Sequence, residues 1–323
     1  MKIIQSISSF EKIKLLADTR RMDILRLLMA SPSTLTQLAR VMNQSPAWVR
    51  HHILALESAG LVEIAEVRRT GKIMEKFYRA QADALLLQEV VLPKSRKTVL
   101  LFSGSHDLAL EGIAEHLTKH ATLLSLPVGS LDGLVNLRQG LCQISGAHLL
   151  DESGEYNTPF VRHLFPDREM EMITLAHRTQ GLMLAAGNPK GVKRVSDVAR
   201  PEVRFVNRNA GSGTRLWLDA EFRRLNIPAE NVNGYAKSVK THTEAAALVA
   251  SNKADVSLGL QAAAGQFGLD FIPLFEERYD LVLPRENERA LTPILDYLQT
   301  AAFRAELNSL KGYNASHSGE KIL

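Results

Sequence analysis

Apolar residues recur at helical spacing through the first sixty positions, and then the period changes. Residues 10–17 (FEKIKLLA) predict a short helix. In 18–30 (DTRRMDILRLLMA), Met22, Ile24, Leu25, Leu27 and Leu28 define an apolar face, with Asp18 placed to cap it. Ser31-Pro32 ends this element, and 33–42 (STLTQLARVM) predicts a third helix capped by Ser33 or Thr34. After Asn43-Gln44, the stretch 45–60 (SPAWVRHHILALESAG) has Ser45 as cap, Pro46 at its first position and Gly60 as stop. Val49, Ile53, Leu54 and Leu56 form its predicted core side. LVEIAEVR (61–68) and EKFYR (75–79) read as strands around a basic, glycine-containing turn. Residues 81–92 (QADALLLQEVVL) predict a helix with an uncovered apolar face, followed by a basic linker, 93–97.

From residue 98 the pattern alternates between strand and helix. TVLLFSGS, ATLLSLPVGS, CQISGAHLL, VRFVNR, DFIPL and YDLVLP read as strands. HDLALEGIAEHLTKH, LDGLVNLRQG and GTRLWLDAEFRRLN read as helices, and THTEAAALVASNKADVSLGL as helix then strand. HRTQG at 177–181 reads as a polar turn. The whole predicts a two-lobed α/β domain with parallel sheets, behind a smaller helical module with a β-hairpin.

Composition narrows the class. The chain has 323 residues, 45% of them apolar and 23% charged, which excludes global disorder. No apolar run reaches the ~18 residues of a membrane span, and the start lacks a signal peptide's pattern. The expectation is a soluble cytoplasmic protein without membrane association. A single cysteine, Cys142, excludes a disulfide framework and a multi-thiolate metal site. Charge is uneven: residues 1–97 carry 16 Lys and Arg against 9 Asp and Glu, whereas the remainder is mildly acidic. That asymmetry suits one module meeting nucleic acid and another that does not.

In that order, the N-terminal elements make a winged helix-turn-helix over 1–80. The stretches DTRRMDILRLL, TLTQLARVM and SPAWVRHHILALESAGLVE resemble the ArsR-like regulators. The helix at 45–60 would be the recognition helix, presenting Ser45, Ala47, Trp48, Arg50 and His51 to duplex DNA in the major groove. Trp48 serves equally as a core anchor. Arg68, Arg69 and Lys72 on the wing would neutralise phosphates. The thiolate metal sensing of many ArsR-like proteins is excluded, because this module has no cysteine. The segment 81–97 is expected to be a dimerisation helix and linker, giving a homodimer.

In the larger module, 98–323, the turns SGSHD (103–107), GSLDG (129–133) and NAGSGTR (209–215) each place hydroxyls and glycines where a helix begins. Helix starts offer free N–H groups and a positive dipole end, which suits an anion; plain capping explains each turn singly. GSLDGLVNLRQG, GAHLLDESGEYNTPFV, HRTQGLMLAAGNPKG and RFVNRNAGSGTR resemble periplasmic-binding-protein-like type II domains of molybdate-related proteins. The resemblance implies Ser103, Ser105, Ser130, Thr179, Ser212 and Thr214 as oxyanion-facing positions. His106 is a further contact candidate. Arg178, Arg208 and Arg215 can neutralise an anion or form ion pairs at a hinge; Arg178 and Arg215 are taken as ligand candidates. Ser105, His106 and Asp107 do not make a catalytic triad, since consecutive residues diverge, and no nucleophile–base constellation is legible.

These readings predict a one-component transcriptional regulator, not an enzyme. It would carry no cofactor or metal and bind operator DNA and a small oxyanion effector, molybdate or tungstate first among them. The alternative is a non-regulatory molybdate-handling protein of molybdenum cofactor biosynthesis.

Overall fold

The computed structural model describes residues 4–70, 73–87 and 89–323. The chain forms two compact units that divide between Val91 and Leu92.

In the first unit, helices span Phe10–Leu16, Thr19–Ala30, Leu35–Val41 and Pro46–Ser58. Their starts are fixed by the predicted caps. The Asp18 carboxylate accepts from Arg20 N, Thr34 forms a reciprocal capping box with Gln37, and Ser45 accepts from Trp48 N. Gly60 takes a φ of +67°, the left-handed conformation that ends a helix. Strands Val62–Thr70 and Ile73–Ala80 pair antiparallel as the wing. Ile24, Leu25, Val49, Ile53 and Leu56 fill the core. Leu54 departs from expectation and is 45% exposed.

The segment after the wing is corrected more substantially. Ala84–Leu87 is a strand, not a helix, and pairs in parallel with Ile4–Ile7. Four contiguous apolar residues satisfy either period, and a pairing partner eighty residues away decides for the strand.

In the second unit, nine strands among the described residues form one mixed sheet. Thr98–Gly104 pairs in parallel with Ala121–Pro127 and Ile144–Ala147, forming one lobe with helices Ala109–Leu117 and Ser130–Arg138. Phe205–Arg208, Val256–Leu260 and Ser238–Val239 form the other, with helices Gly213–Arg224 and His242–Ala250. Two antiparallel strands of 15 residues, Met170–Leu184 and Asp270–Pro284, run through both lobes as a hinge ribbon.

The ribbon corrects two readings. HRTQG lies inside the first hinge strand rather than in a turn, and DFIPL and YDLVLP are parts of one strand. A Cβ at Gly181 would collide with the Ile272 carbonyl on the neighbouring strand, so this glycine serves close strand approach. Register shifts after Pro273 and Tyr279 absorb the irregularities that suggested a break. Cys142 is buried, and burial pushes its thiol up to about 12, which makes it inert.

Helix Ser130–Arg138 packs directly on the first strand of its lobe through Gly133. A Cβ there would lie 2.5 Å from Gly104 Cα and 2.7 Å from Ser103 O. Gly133→Ala is expected to cost about 1–3 kcal/mol of stability by overpacking. Thermal melting followed by circular dichroism checks this, and an unchanged midpoint would contradict the close approach.

Candidate functional site

The polar side chains of the hinge ribbon converge on a buried network. Arg178 and Glu277 are directly paired residues of the two hinge strands. The Arg178 guanidinium contacts Asp107, and its Nη2 lies 2.6 Å from Glu277 Oε1. All three side chains are at most 2% exposed. Burial alone would discharge Arg178, but Glu277 and Asp107 outweigh it and raise its pKa. Burial likewise opposes the Glu277 carboxylate, yet Arg178 and His148 hold it well below the usual carboxylate range. Tyr313 donates to Asp107 Oδ2 at 2.6 Å, and the Arg178 guanidinium lies 4.2 Å from the Tyr279 ring centre.

From Glu277 the network extends in two directions. Gln180 Nε2 donates to Glu277 Oε1 at 2.7 Å and to Thr214 Oγ1 at 2.9 Å. His148 Nδ1 lies 2.7 Å from Glu277 Oε2, and its Nε2 lies 2.9 Å from Ser105 Oγ. Burial lowers the His148 pKa, so the neutral ring donates from Nδ1 to the carboxylate and accepts the Ser105 proton at Nε2. This serine–histidine–glutamate chain is a nucleophile–base constellation that the sequence did not reveal, because its members stand 43 and 129 residues apart. The carboxylate is shared with Arg178 and Gln180, which leaves the imidazole a weak base. Its clear effect is to fix the Ser105 hydroxyl.

Beside this ion-paired network, in which Arg178 Nε and Gln180 Oε1 also lack a hydrogen-bond partner, stands a buried cation with no carboxylate partner among the described residues. Arg208 is 1% exposed, and Nη2 donates to Lys240 O at 2.8 Å. Its Nε and Nη1 have no hydrogen-bond partner among the described residues. Neither ring nitrogen of fully buried His242 has one either, nor does Nδ1 of His106. Burial, with Arg178 adding repulsion, lowers the Arg208 pKa to about 9, so it remains charged at neutral pH. Burial and the two arginines drive His242 well below its ordinary value, which makes it a neutral donor.

Arg208 ends a strand, His242 starts a helix, and His106 follows the strand ending at Gly104. All three therefore lie at the carboxyl ends of strands, where open α/β sheets bind ligands. The lobes meet close by, through Asn209 Nδ2 donating to Val128 O at 2.7 Å and Leu131 N to Gly211 O at 3.4 Å.

The sequence-predicted ligand residues separate into two groups. Ser105, Ser130 and Thr214 are buried in the network, with Ser130 Oγ accepting from His148 N at 3.2 Å. Arg178 belongs there as its ion-paired centre. The others have structural partners. Ser212 caps its helix by accepting from Arg215 N and donating to Asn209 O. Ser103 accepts from Asn136, Thr179 N donates to Gly312 O, and His106 Nε2 lies 3.5 Å from Glu111. Arg215 pairs with Asp219 and stacks over Tyr235. Arg208, weighed in the sequence but not chosen over Arg178 and Arg215, is the one of the three with no carboxylate partner among the described residues. His242 was missed; its one signal is its place just after the Thr241 cap at a helix start.

On the winged helix, Ala47, Arg50 and His51 are exposed on the recognition helix. Trp48 is half-buried against the core and meets the buried His52 edge-on, 4.3 Å between ring centres. Arg68 pairs with Glu66 at 2.7 Å and lies over Phe77. Arg69 is exposed on the same strand, and Lys72 lies outside the described residues.

Comparison with known proteins agrees with both units. Residues 113–299 match the PBP superfamily domain, and residues 18–63 match the bacterial regulatory protein, arsR family. An uncharacterised Bacillus subtilis protein, YvgK, is 35% identical over 234 residues, 72% of this chain and 75% of that one. An uncharacterised Clostridium pasteurianum protein from the 5′ region of a 2Fe-2S ferredoxin gene is 34% identical over 110 residues, 33% of this chain and 97% of that one. Among solved structures, a candidate phosphate ABC transporter substrate-binding protein of Clostridium perfringens, with bound phosphate, shares the fold. The TM-score is 0.50 and the identity 14%, over 66% of this chain and 97% of that one.

Glu277→Gln removes one of the two charges that hold Arg178. Breaking a buried pair from one side costs about 3–5 kcal/mol, and urea denaturation should show a loss of that order at pH 7. Because the folded-state pKa of Glu277 is depressed, its contribution is present above the unfolded carboxylate pKa and is lost as pH falls below it. The difference between wild type and variant should therefore shrink on acidification; a pH-independent gap would contradict the assignment.

Proposed function

Because the chain belongs to the PBP superfamily and joins that domain to an arsR-family module, we propose that it is a one-component transcriptional regulator whose larger unit senses a small oxyanion. The observation that supports this most is Arg208, a buried guanidinium with two open N–H donors beside the unpartnered His242. An unpaired buried charge costs several kcal/mol, and an anion accepting from Nε and Nη1 would remove that cost. His242 and the buried hydroxyls of Ser130 and Thr214 supply neutral dipoles around it. Molybdate and tungstate, which accept hydrogen bonds on every oxygen, are the first effectors to test, with phosphate and sulfate beside them. Occupancy changes the affinity of the winged helix for its operator. The protein acts as a homodimer in the cytoplasm, with the exposed Leu86 and Leu87 at the contact between copies.

Arg208→Met is expected to abolish the ligand-induced rise in melting temperature, while the ligand-free protein melts no lower than wild type. A ligand response surviving in Arg208→Met would sink the assignment. The pH profile gives an independent readout. The Arg208 pKa is lowered to about 9, so below that pH the site is charged and molybdate affinity should be level. Above it, binding must take up a proton, and calorimetry should show affinity falling about tenfold per pH unit.

For the smaller unit, Arg50→Ala should weaken operator binding by about 1–3 kcal/mol, whereas Arg68→Ala should weaken all duplexes alike and flatten the salt dependence. Equal duplex binding by wild type and the double variant would refute DNA recognition through this face. Light scattering on the same samples should give twice the chain mass.

A further inference from the structure

A cavity of about 390 Å³ opens between the lobes beside the hinge ribbon. That volume falls within the range of small-molecule sites. Among its lining residues it shares His148 and Glu277 with the buried network, but Ser105, Ser130, Arg208 and His242 do not line it.

Its walls are aromatic and come from three parts of the unit. Tyr156 and Phe160 stand on one lobe, Trp217 on the other, and Phe275 on the second hinge strand. Trp217 and Phe275 already stack, 4.1 Å between ring centres and 25° between planes. All four side chains are half-buried. They therefore present ring faces to the cavity at little cost in conformational freedom.

The rim carries the opposite charge from the arginine site. Asp151 and Glu152 contribute two carboxylates against the one guanidinium of Arg223. Asp151 accepts from Ser153 N and Glu155 N and stays ionised. Acidic groups around an aromatic slot repel an anion and favour a ring that brings N–H donors or a positive charge.

We propose that this cavity binds a planar nitrogen heterocycle, uncharged or cationic, as a second ligand of the larger unit. Its ring stacks between the aromatic walls, and its N–H groups face Asp151 and Glu152. The proposal goes beyond the oxyanion reading and does not need it. Because the walls belong to both lobes and to the hinge, a ring held there also bears on lobe closure.

The test uses the full-length protein and 2-aminopurine, whose fluorescence is quenched on stacking. Saturable quenching is expected, with adenine competing. Benzoate, an anionic ring of similar flatness, is expected to bind at least tenfold more weakly. Trp217→Leu should weaken 2-aminopurine about tenfold, the scale of one lost stacking partner, and Phe160→Leu should do so less. Both variants should keep the molybdate-induced thermal shift, which shows that they fold, or the wild-type melting profile if molybdate does not bind. Arg208→Met should leave 2-aminopurine binding unchanged, so the two sites fail or stand separately. No saturable binding up to millimolar 2-aminopurine, tighter binding of benzoate, or wild-type affinity in Trp217→Leu would each overturn the proposal.

Discussion

The larger unit depends on one buried contact: Arg178 held between Asp107 and Glu277 where the two hinge strands pair. Desolvating a guanidinium and two carboxylates is expensive, and each alone would unsettle the centre of the fold. Together, with the Tyr313 hydroxyl on Asp107 and the Gln180 amide on Glu277, they offset one another's charge. The same contact sets the positions of what surrounds it. Glu277 orients His148, His148 orients Ser105, and Gln180 reaches Thr214 in the other lobe.

Against that ion-paired centre, Arg208 differs in having no carboxylate partner among the described residues. A domain that neutralises one buried arginine with two carboxylates and leaves another unpaired treats the two differently. The first serves architecture. The second has two donors without a partner among the described residues, and the proposed oxyanion site rests on it. The arsR-family and PBP superfamily assignments agree with that division between a DNA-facing unit and a ligand-facing one.

Local chemistry was legible in the sequence at several helix starts, where a cap and the N–H it accepts from lie within three positions. The caps at Asp18, Thr34 and Ser45 were readable, and so were the helices behind them, whereas Ser212, taken as a ligand contact, caps its helix. The hinge strands were not. Their central residues are polar because they serve the buried network, so HRTQG mimics a turn, and Gly181 is present for strand approach rather than for chain reversal. The 84–87 segment was misread because its partner strand begins the chain. Three arginines were visible as candidates, but which of them is ion-paired depended on Asp107 and Glu277, distant in sequence from Arg178, and on Asp219, one turn along the helix from Arg215. Identity of residues was local information; pairing was not.

The uncompensated charge at Arg208 has a consequence for persistence as well as recognition. A protein that is less stable when empty opens more often when empty, and opened chains are the ones proteases remove. If the proposed anion binds at Arg208, occupancy would then set lifetime. Under the proposed function, the amount of this protein would follow the amount of the anion, adding a slow memory of past supply to a faster response at DNA.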